Sequence, residues 1–357
     1  MAASSQRGRS MVLSALGSTT PRPSECETIA IDCGAGRPLL RMRTPNADFA
    51  TSCHIRQAAR NLGVTDSSSR PCDSALRAEI QRLSEADTTY WSEIWPAGRA
   101  LAHALLAAPA LVSGRAVLDL GAGLGAPGVG AALAGARSVV ATDIEPRALA
   151  FAACSAEDNG VSAALRTVAW DWERPVPAEI SRARIEVLLA ADVTYLPEHA
   201  AHVARLARAL VRPDGLLITA QGTDRTYGTA HFDALRAQLA PSFALLGAVD
   251  LAMPIAAGEP LADEARRALE QLAVRVAEAP GGAIGTAAGA AAGAAAGAAE
   301  PSAGEMPLTS RPVRLAIFGR ASDAGVQERP ESCDRAGVGL LALANDAHAG
   351  SGWDWAT

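Results

Sequence analysis

The chain has 357 residues, 49% of them hydrophobic, and a formal net charge of -6, so it has ample apolar material for a core and no electrostatic case for binding nucleic acid. All 32 of its Lys and Arg residues are arginine, which together with abundant alanine, glycine and proline reflects coding bias and makes arginine count a poor signal for phosphate binding. The six cysteines, at 26, 33, 53, 72, 154 and 333, form neither a C-x-x-C pair nor a zinc-like spacing with histidine, so no metal is expected. No run of about twenty strongly apolar residues is available to span a membrane.

Residues 1–24 lack acids, carry Arg7, Arg9 and Arg22 and are rich in serine, a composition of a disordered tail or of an organellar targeting segment. With the tail reading, the protein is expected in the cytoplasm; with the other, in a mitochondrion or other organelle. Residues 25–89 predict a small N-terminal unit. Glu27 to Arg43 reads as two short strands turning at Gly34 and Gly36, and Asn46 to Leu83 as two helices around the breaker run Thr65 to Pro71. Tyr90 to Leu106 follows, YWSEIWPAGRALAHALL. Pro96 suits a helix start, and Leu101, Leu105 and Ala108 share a face. Before it, Trp91, Glu93 and Trp95 crowd two large rings and a carboxylate together, either as a staple fixing the helix entrance or as the wall of a site.

The most informative stretch is Val117 to Gly130, VLDLGAGLGAPGVG. A buried strand from Ala116 to Leu120 runs into Gly121, Gly123 and Gly125, which leave main-chain amides open to a ligand, and Pro127 fits the first turn of a following helix. Two ligands suit the turn. Gly123, Gly125 and Gly128 satisfy G-x-G-x-x-G, with Asp143 about twenty residues on, as for a nicotinamide dinucleotide. In the register that starts at Asp119, the same residues give D-x-G-x-G-x-G, which resembles motif I of class I methyltransferases that use S-adenosyl-L-methionine. A carboxylate at that strand end repels a pyrophosphate and attracts, often through water, a cationic methionine moiety. This favours S-adenosylmethionine.

Ser138 to Asp143 predicts a second buried strand ending in an acid, with Asp143 either on ribose hydroxyls or in a core or capping role. Ala164 to Val168 predicts a third, leading to Trp170, Asp171 and Trp172. Ile185 to Asp192 is a continuous apolar strand, as in the middle of a parallel sheet, and is followed by Val193, Thr194 and Tyr195. Asp192 alone could cap the next helix, whose stripe is Val203, Leu206 and Leu210. The arrangement W-x-x-x-W-P at 91–96, the pair Asp171-Trp172 and the D-x-x-Y of Asp192 to Tyr195 resemble a group of seven-stranded methyltransferases. That group contains protein lysine methyltransferases, the electron-transfer-flavoprotein one among them. The resemblance covers roughly Tyr90 to Gln221 and the last strand. It implies Trp95, Asp119, Gly121, Gly123, Gly125, Asp143, Asp171 and Trp172 on the cofactor, with Asp171 and Trp172 at adenine. It further implies Trp91 and Glu93 in the substrate pocket and Asp192 and Tyr195 at the reacting amine.

Leu216 to Ala220, Phe243 to Leu251 and Val313 to Gly319 predict the remaining strands. Between the last two lie about sixty residues where the group has a short hairpin. They hold one helix face, Leu261, Ala265, Leu269, Leu272 and Val276, and then an Ala/Gly run, Gly281 to Glu300, that reads as a linker. The whole predicts a doubly wound α/β fold with a mainly parallel seven-stranded sheet, Rossmann-like as in class I methyltransferases, with an N-terminal extension and an insertion before the last strand. Its boundaries are a tail at 1–24, the ribbon and helices at 25–89, the core at 90–251, the insertion at 252–312, the last strand at 313–320 and a tail at 321–357 that contains Trp353 and Trp355. The function implied is methyl transfer to a protein lysine by a monomer that needs no metal, nucleic acid or membrane. A small-molecule N-methyltransferase, a silent cofactor-binding module and a nicotinamide oxidoreductase stand as alternatives.

Overall fold

The computed structural model describes residues 20–33, 37–63, 73–86, 89–224, 228–240, 242–256, 259–277 and 310–320. The expectations for 1–19, the turn at 34–36, the breaker run, the Ala/Gly run and the tail after 320 lie outside the described residues. Strands β1 (Cys26–Ile31) and β2 (Leu40–Pro45) pair antiparallel, as the alternating pattern predicts. Helices α1 (Ala47–Asn61) and α2 (Asp73–Ala86) come next, α1 capped by the Asn46 side chain accepting from the Phe49 amide. Helix α3 (Pro96–Ala107) begins at its proline.

The core then alternates strand and helix: β3 (Ala116–Leu120), α4 (Ala126–Leu133), β4 (Ser138–Asp143), α5 (Pro146–Asp158), β5 (Leu165–Ala169), the short α6 (Ala178–Ser181), β6 (Val187–Ala191), α7 (His199–Leu210), β7 (Leu216–Gly222) and α8 (Gly228–Leu239). It closes with β8 (Phe243–Pro254), α9 (Asp263–Ala277) and β9 (Ser310–Arg320). The seven-stranded sheet has the order β5-β4-β3-β6-β7-β9-β8, with β3 to β7 parallel and β9 antiparallel to both neighbours. This is the predicted doubly wound fold. Strand order turns around at β3, where one crossover leads to β4 and the chain later returns on the other side to β6, so a crevice opens beyond the carboxyl ends of these strands.

Alternate side chains of each strand serve opposite faces. Val117, Val187, Leu189 and Ile218 pack with Leu101 and Leu105 of α3 and Val129 of α4, while Leu118, Leu120, Leu188 and Ala190 pack with Val203 and Leu206 of α7 and Leu235 of α8. Two segments expected to stand outside the core are parts of it. Ile31, Leu40 and Met42 of the ribbon belong to the first cluster, and the ribbon is bound to α5 through Arg43 and Asp158 (3.0 Å) and the Arg43 amide on Ser155 Oγ (2.9 Å). Leu269, Leu272 and Val276 of α9 belong to the same cluster. Arg99 of α3, fully buried, donates to the carbonyls of Pro254, Ile255 and Ala256, so the segment that leaves β8 is tied to the helix in front of the site. Among the described residues no helix is long and apolar enough to cross a membrane.

Candidate active site at the strand ends

The turn after β3 is shaped by its glycines. Gly121, Gly123 and Gly125 have φ of +63°, +53° and +85°, a left-handed backbone that costs a side-chain-bearing residue about 1–2 kcal/mol. Their surroundings differ. A Cβ on Gly125 would stand 2.6 Å from Ala152 Cβ, whereas on Gly123 the nearest atom would be the Trp91 carbonyl oxygen at 3.8 Å. Gly123 therefore borders open space, and a molecule can lie against its main chain there.

Two acids hold this turn from beneath. The Asp143 carboxylate accepts from the Gly123 amide (2.8 Å) and, through its other oxygen, from the Glu145 amide (2.9 Å). Asp119, only 1% exposed, accepts from the Gly128 amide (2.8 Å) in the first turn of α4. The structure thus gives Asp119 an internal role, under the turn, where a group reaching into the crevice was expected. Burial pushes its carboxyl up from 3.8 to about 7, against the Gly128 bond and with help from the Asp143 charge. Asp143 is likewise raised, by burial first and by Glu145 among its neighbours.

The segment before α3 packs on the helices around it. The Trp91 ring is seated in an aromatic cluster with Phe49 (6.2 Å, 74°) and Phe151 (6.4 Å), under the Arg147 guanidinium at 4.8 Å, and only its carbonyl borders Gly123. Its apolar bulk helps to bury α1 against α5, a packing role that stands beside the expected place in the substrate pocket. Trp95 is the residue at the α3 entrance; its indole N–H donates to the Tyr90 carbonyl (2.8 Å) and its ring leans on the Tyr90 ring at 6.3 Å. Glu93 is exposed.

Beyond the end of β5, next to Asp143 of β4, Asp171 closes its own turn by accepting from the Glu173 amide (2.9 Å), with Arg174 at 3.7 Å. Trp170 is buried, while Trp172 is partly buried and meets the His199 ring edge-on at 5.1 Å. Asp192 is one of three described non-glycine residues with positive φ, at +56°. Aspartate tolerates this conformation better than most residues, and its side chain accepts from the Gly222 amide (3.2 Å) while its own amide donates to the Ala220 carbonyl (2.8 Å). That is not a helix cap: α7 starts only at His199, after Glu198. Tyr195 is 45% exposed and edge-on to His199 at 4.6 Å, and its hydroxyl is raised, by burial first.

Four residues here carry no motif. Thr194 Oγ1 donates to Gln221 Oε1 (2.5 Å), and the Thr194 carbonyl accepts from Gln221 Nε2 (3.3 Å) and His231 Nδ1 (2.6 Å). His199 Nδ1 donates to the Val193 carbonyl (2.9 Å). Gln221 had a signal in the sequence, as the one long polar side chain of the run LLITAQG. Ile144, 66% exposed beside Asp143, is an apolar side chain left open at the same edge. Among the described residues no group of His, Cys, Asp and Glu could hold a metal ion.

Residues 78–238 match the family model described as lysine methyltransferase. The electron transfer flavoprotein beta subunit lysine methyltransferase of Mus musculus is 42% identical over 138 residues, 36% of this chain and 53% of that protein. A ribosomal-protein methyltransferase of Pseudomonas paraeruginosa is 36% identical over 128 residues, 34% of this chain and 40% of its own length. The chain spans about half the length of the curated relatives it matches first. Among solved structures, an N-methyltransferase from Bradyrhizobium japonicum superposes with a TM-score of 0.37 at 12% identity, covering 62% of this chain and 94% of that one.

Proposed function

We propose, from a core that is related to the lysine methyltransferase family over residues 78–238, that this chain transfers a methyl group from S-adenosylmethionine to the side-chain nitrogen of a protein lysine. One observation carries the reading: β3 and β6 lie side by side and parallel, so the glycine turn, held by Asp143 at Gly123, and the loop of Asp192 and Tyr195 leave the same end of the sheet, with Val193 packed close over Gly121. The cradle fits the cofactor, since a Cβ at Gly123 would meet nothing nearer than the Trp91 carbonyl oxygen at 3.8 Å, and the Asp143 carboxylate that holds the turn would repel a pyrophosphate. Gly121, Gly123 and Gly125 would hold that portion, Asp143 the ribose, and Trp172 with Asp171 the adenine. When bound, the sulfonium supplies an electrophilic methyl group and a neutral leaving group.

The residues of this chain have two further tasks. A lysine with a pKa near 10.4 is neutral in only about one molecule in 2,500 at pH 7, a deficit of roughly 4.6 kcal/mol. Asp192 holds the ammonium and orients it, although its charge also favours the protonated form, so exclusion of water by the side chains around the loop must oppose that effect. Tyr195 bounds the acceptor channel. These side chains would have to orient the amine toward the methyl group, and proximity would supply the rest of the rate. The acceptor is a lysine on another protein, as the names of the relatives suggest; the enzyme acts as a monomer in the cytoplasm and needs no metal.

The chain itself offers a clean assay. Because it contains no lysine, its own band cannot acquire methyl-lysine. Purified protein is incubated with radiolabelled S-adenosylmethionine and a lysate depleted of endogenous methylation, and labelled bands are digested and sequenced by mass spectrometry. A methyl-lysine site in another protein is the expected result. Label confined to small molecules would replace the protein acceptor by a metabolite.

A further inference from the structure

The loop from Asp192 to Tyr195 is held at each of its first three residues from a different part of the chain. The Asp192 amide and carboxylate engage β7 and its end, the Val193 carbonyl accepts from His199 of α7, and the Thr194 carbonyl accepts from His231 of α8 as well as from Gln221. A carbonyl oxygen only accepts, so the hydrogen of each imidazole is on Nδ1 and the tautomer is set. His199 differs from His231 in what its ring meets. It is 7% exposed and lies between Tyr195 (4.6 Å, 85°) and Trp172 (5.1 Å, 72°), both edge-on. His202 adds a further ring at 6.5 Å. One imidazole thus joins the loop carrying Tyr195 to the loop carrying Trp172.

We propose that His199 is a positioning residue that fixes the Tyr195 ring and thereby the width of the acceptor channel, so that it governs how many methyl groups one lysine receives. This rests on the reading of Tyr195 as a channel wall given above. The physical reason is the exposure of Tyr195, 45%, which leaves its ring free to turn unless a neighbour restrains it. The ring edge of His199 supplies that restraint on the side chain, and the Nδ1 bond to Val193 supplies it on the backbone. Trp172 is less dependent on His199, since it also packs on the core and accepts from Arg205 through its carbonyl.

Three variants separate the two restraints: His199→Ala loses both, His199→Phe keeps the ring edge and His199→Asn keeps a donor. Hydrogen exchange of residues 193–196 in the cofactor-free protein should quicken in His199→Ala and His199→Phe and stay near wild type in His199→Asn. On an identified acceptor, His199→Ala should raise KM about threefold to tenfold with kcat little changed, the size of one ring pair or one hydrogen bond, while adenosylhomocysteine affinity stays within about threefold. Mass spectra should show a shift toward more highly methylated lysine in His199→Ala and His199→Asn, reversed in His199→Phe. Equal exchange in all four proteins, or an unchanged methylation pattern in both His199→Ala and His199→Asn, would overturn the proposal; if His199→Ala does not fold, the other two variants decide alone. The exchange measurement uses no cofactor. Failure of the wild-type protein to bind adenosylhomocysteine would therefore sink the methyl-transfer reading separately.

Discussion

The two sides of the crevice are built in opposite ways. On the glycine side, the turn at 121–125 is stabilised by its immediate neighbours in the sheet: Asp119 from the preceding strand and Asp143 from the adjacent one, each accepting from an amide of the turn or the helix behind it. On the acceptor side, the loop at 192–195 has a left-handed aspartate and is held by side chains from β7, α7 and α8. A site that must cradle a fixed cofactor can be made of a short local motif. The loop that carries the exposed Tyr195 has its shape decided from outside, by residues distant in sequence, although its Val193 also packs against Gly121 of the cradle.

The largest effect that would sharpen this contrast is the pH dependence stored in the cradle. Asp119 is raised from 3.8 to about 7, so the folded protein binds a proton there that the unfolded chain releases from about pH 4 upward. Its folded pKa lies above its unfolded one; the stabilisation is complete below the unfolded value and is lost as pH rises through about 7. Asp119→Asn keeps an oxygen for the Gly128 amide and removes this loss. Urea unfolding of the two proteins should diverge between pH 5 and pH 8 in favour of the variant, by at most about 4 kcal/mol. Parallel profiles would mean that the carboxyl is ionised throughout and that water reaches it.

Next in size is Asp192→Asn on the other side. Asparagine also tolerates the left-handed backbone and keeps an oxygen for Gly222, so folding and adenosylhomocysteine binding should survive. Turnover should fall about a hundredfold, roughly 2.7 kcal/mol in the barrier, because the acceptor ammonium loses its charged partner. Initial rates on the identified acceptor measure this; an unchanged rate would remove Asp192 from the chemistry.

A smaller effect divides the cradle itself. Gly123→Ala and Gly125→Ala share the backbone cost of about 1–2 kcal/mol, but only at Gly125 does the new methyl overlap Ala152, adding about 1–3 kcal/mol. Thermal unfolding should therefore place Gly125→Ala below Gly123→Ala. In cofactor titrations Gly123→Ala should be the one that stays folded and binds weakly, and equal melting temperatures would show that the turn gives way around either methyl.

Legibility in the sequence follows the same division. Strand, glycine turn, proline-started helix and terminal acid are contiguous signals, so β3, α4 and Asp143 could be read directly, as could the ribbon and the α9 face from their periodicities. Asp192 and Tyr195 were readable as a motif. What holds them was not, because His199, Gln221 and His231 stand 7, 29 and 39 positions beyond Asp192 by residue number and reach its loop from α7, β7 and α8. The packing of the Trp91 ring was hidden for a related reason: its partners Phe49 and Phe151 come from helices on either side in sequence, and spacing alone says nothing of their meeting. That the ribbon and α9 complete the main core was equally hidden, since amphipathic periodicity shows that a face is buried without saying against what.

The central claim is that this cradle takes S-adenosylmethionine, and titration calorimetry with adenosylhomocysteine and with NAD tests it most directly. Saturable heat from adenosylhomocysteine and none from NAD is predicted, with Asp143→Ala weakening the former by about 1.5–3 kcal/mol through loss of its charged hydrogen bonds. Saturable NAD binding that Asp143→Ala abolishes would contradict the account and return the glycine turn to a dinucleotide.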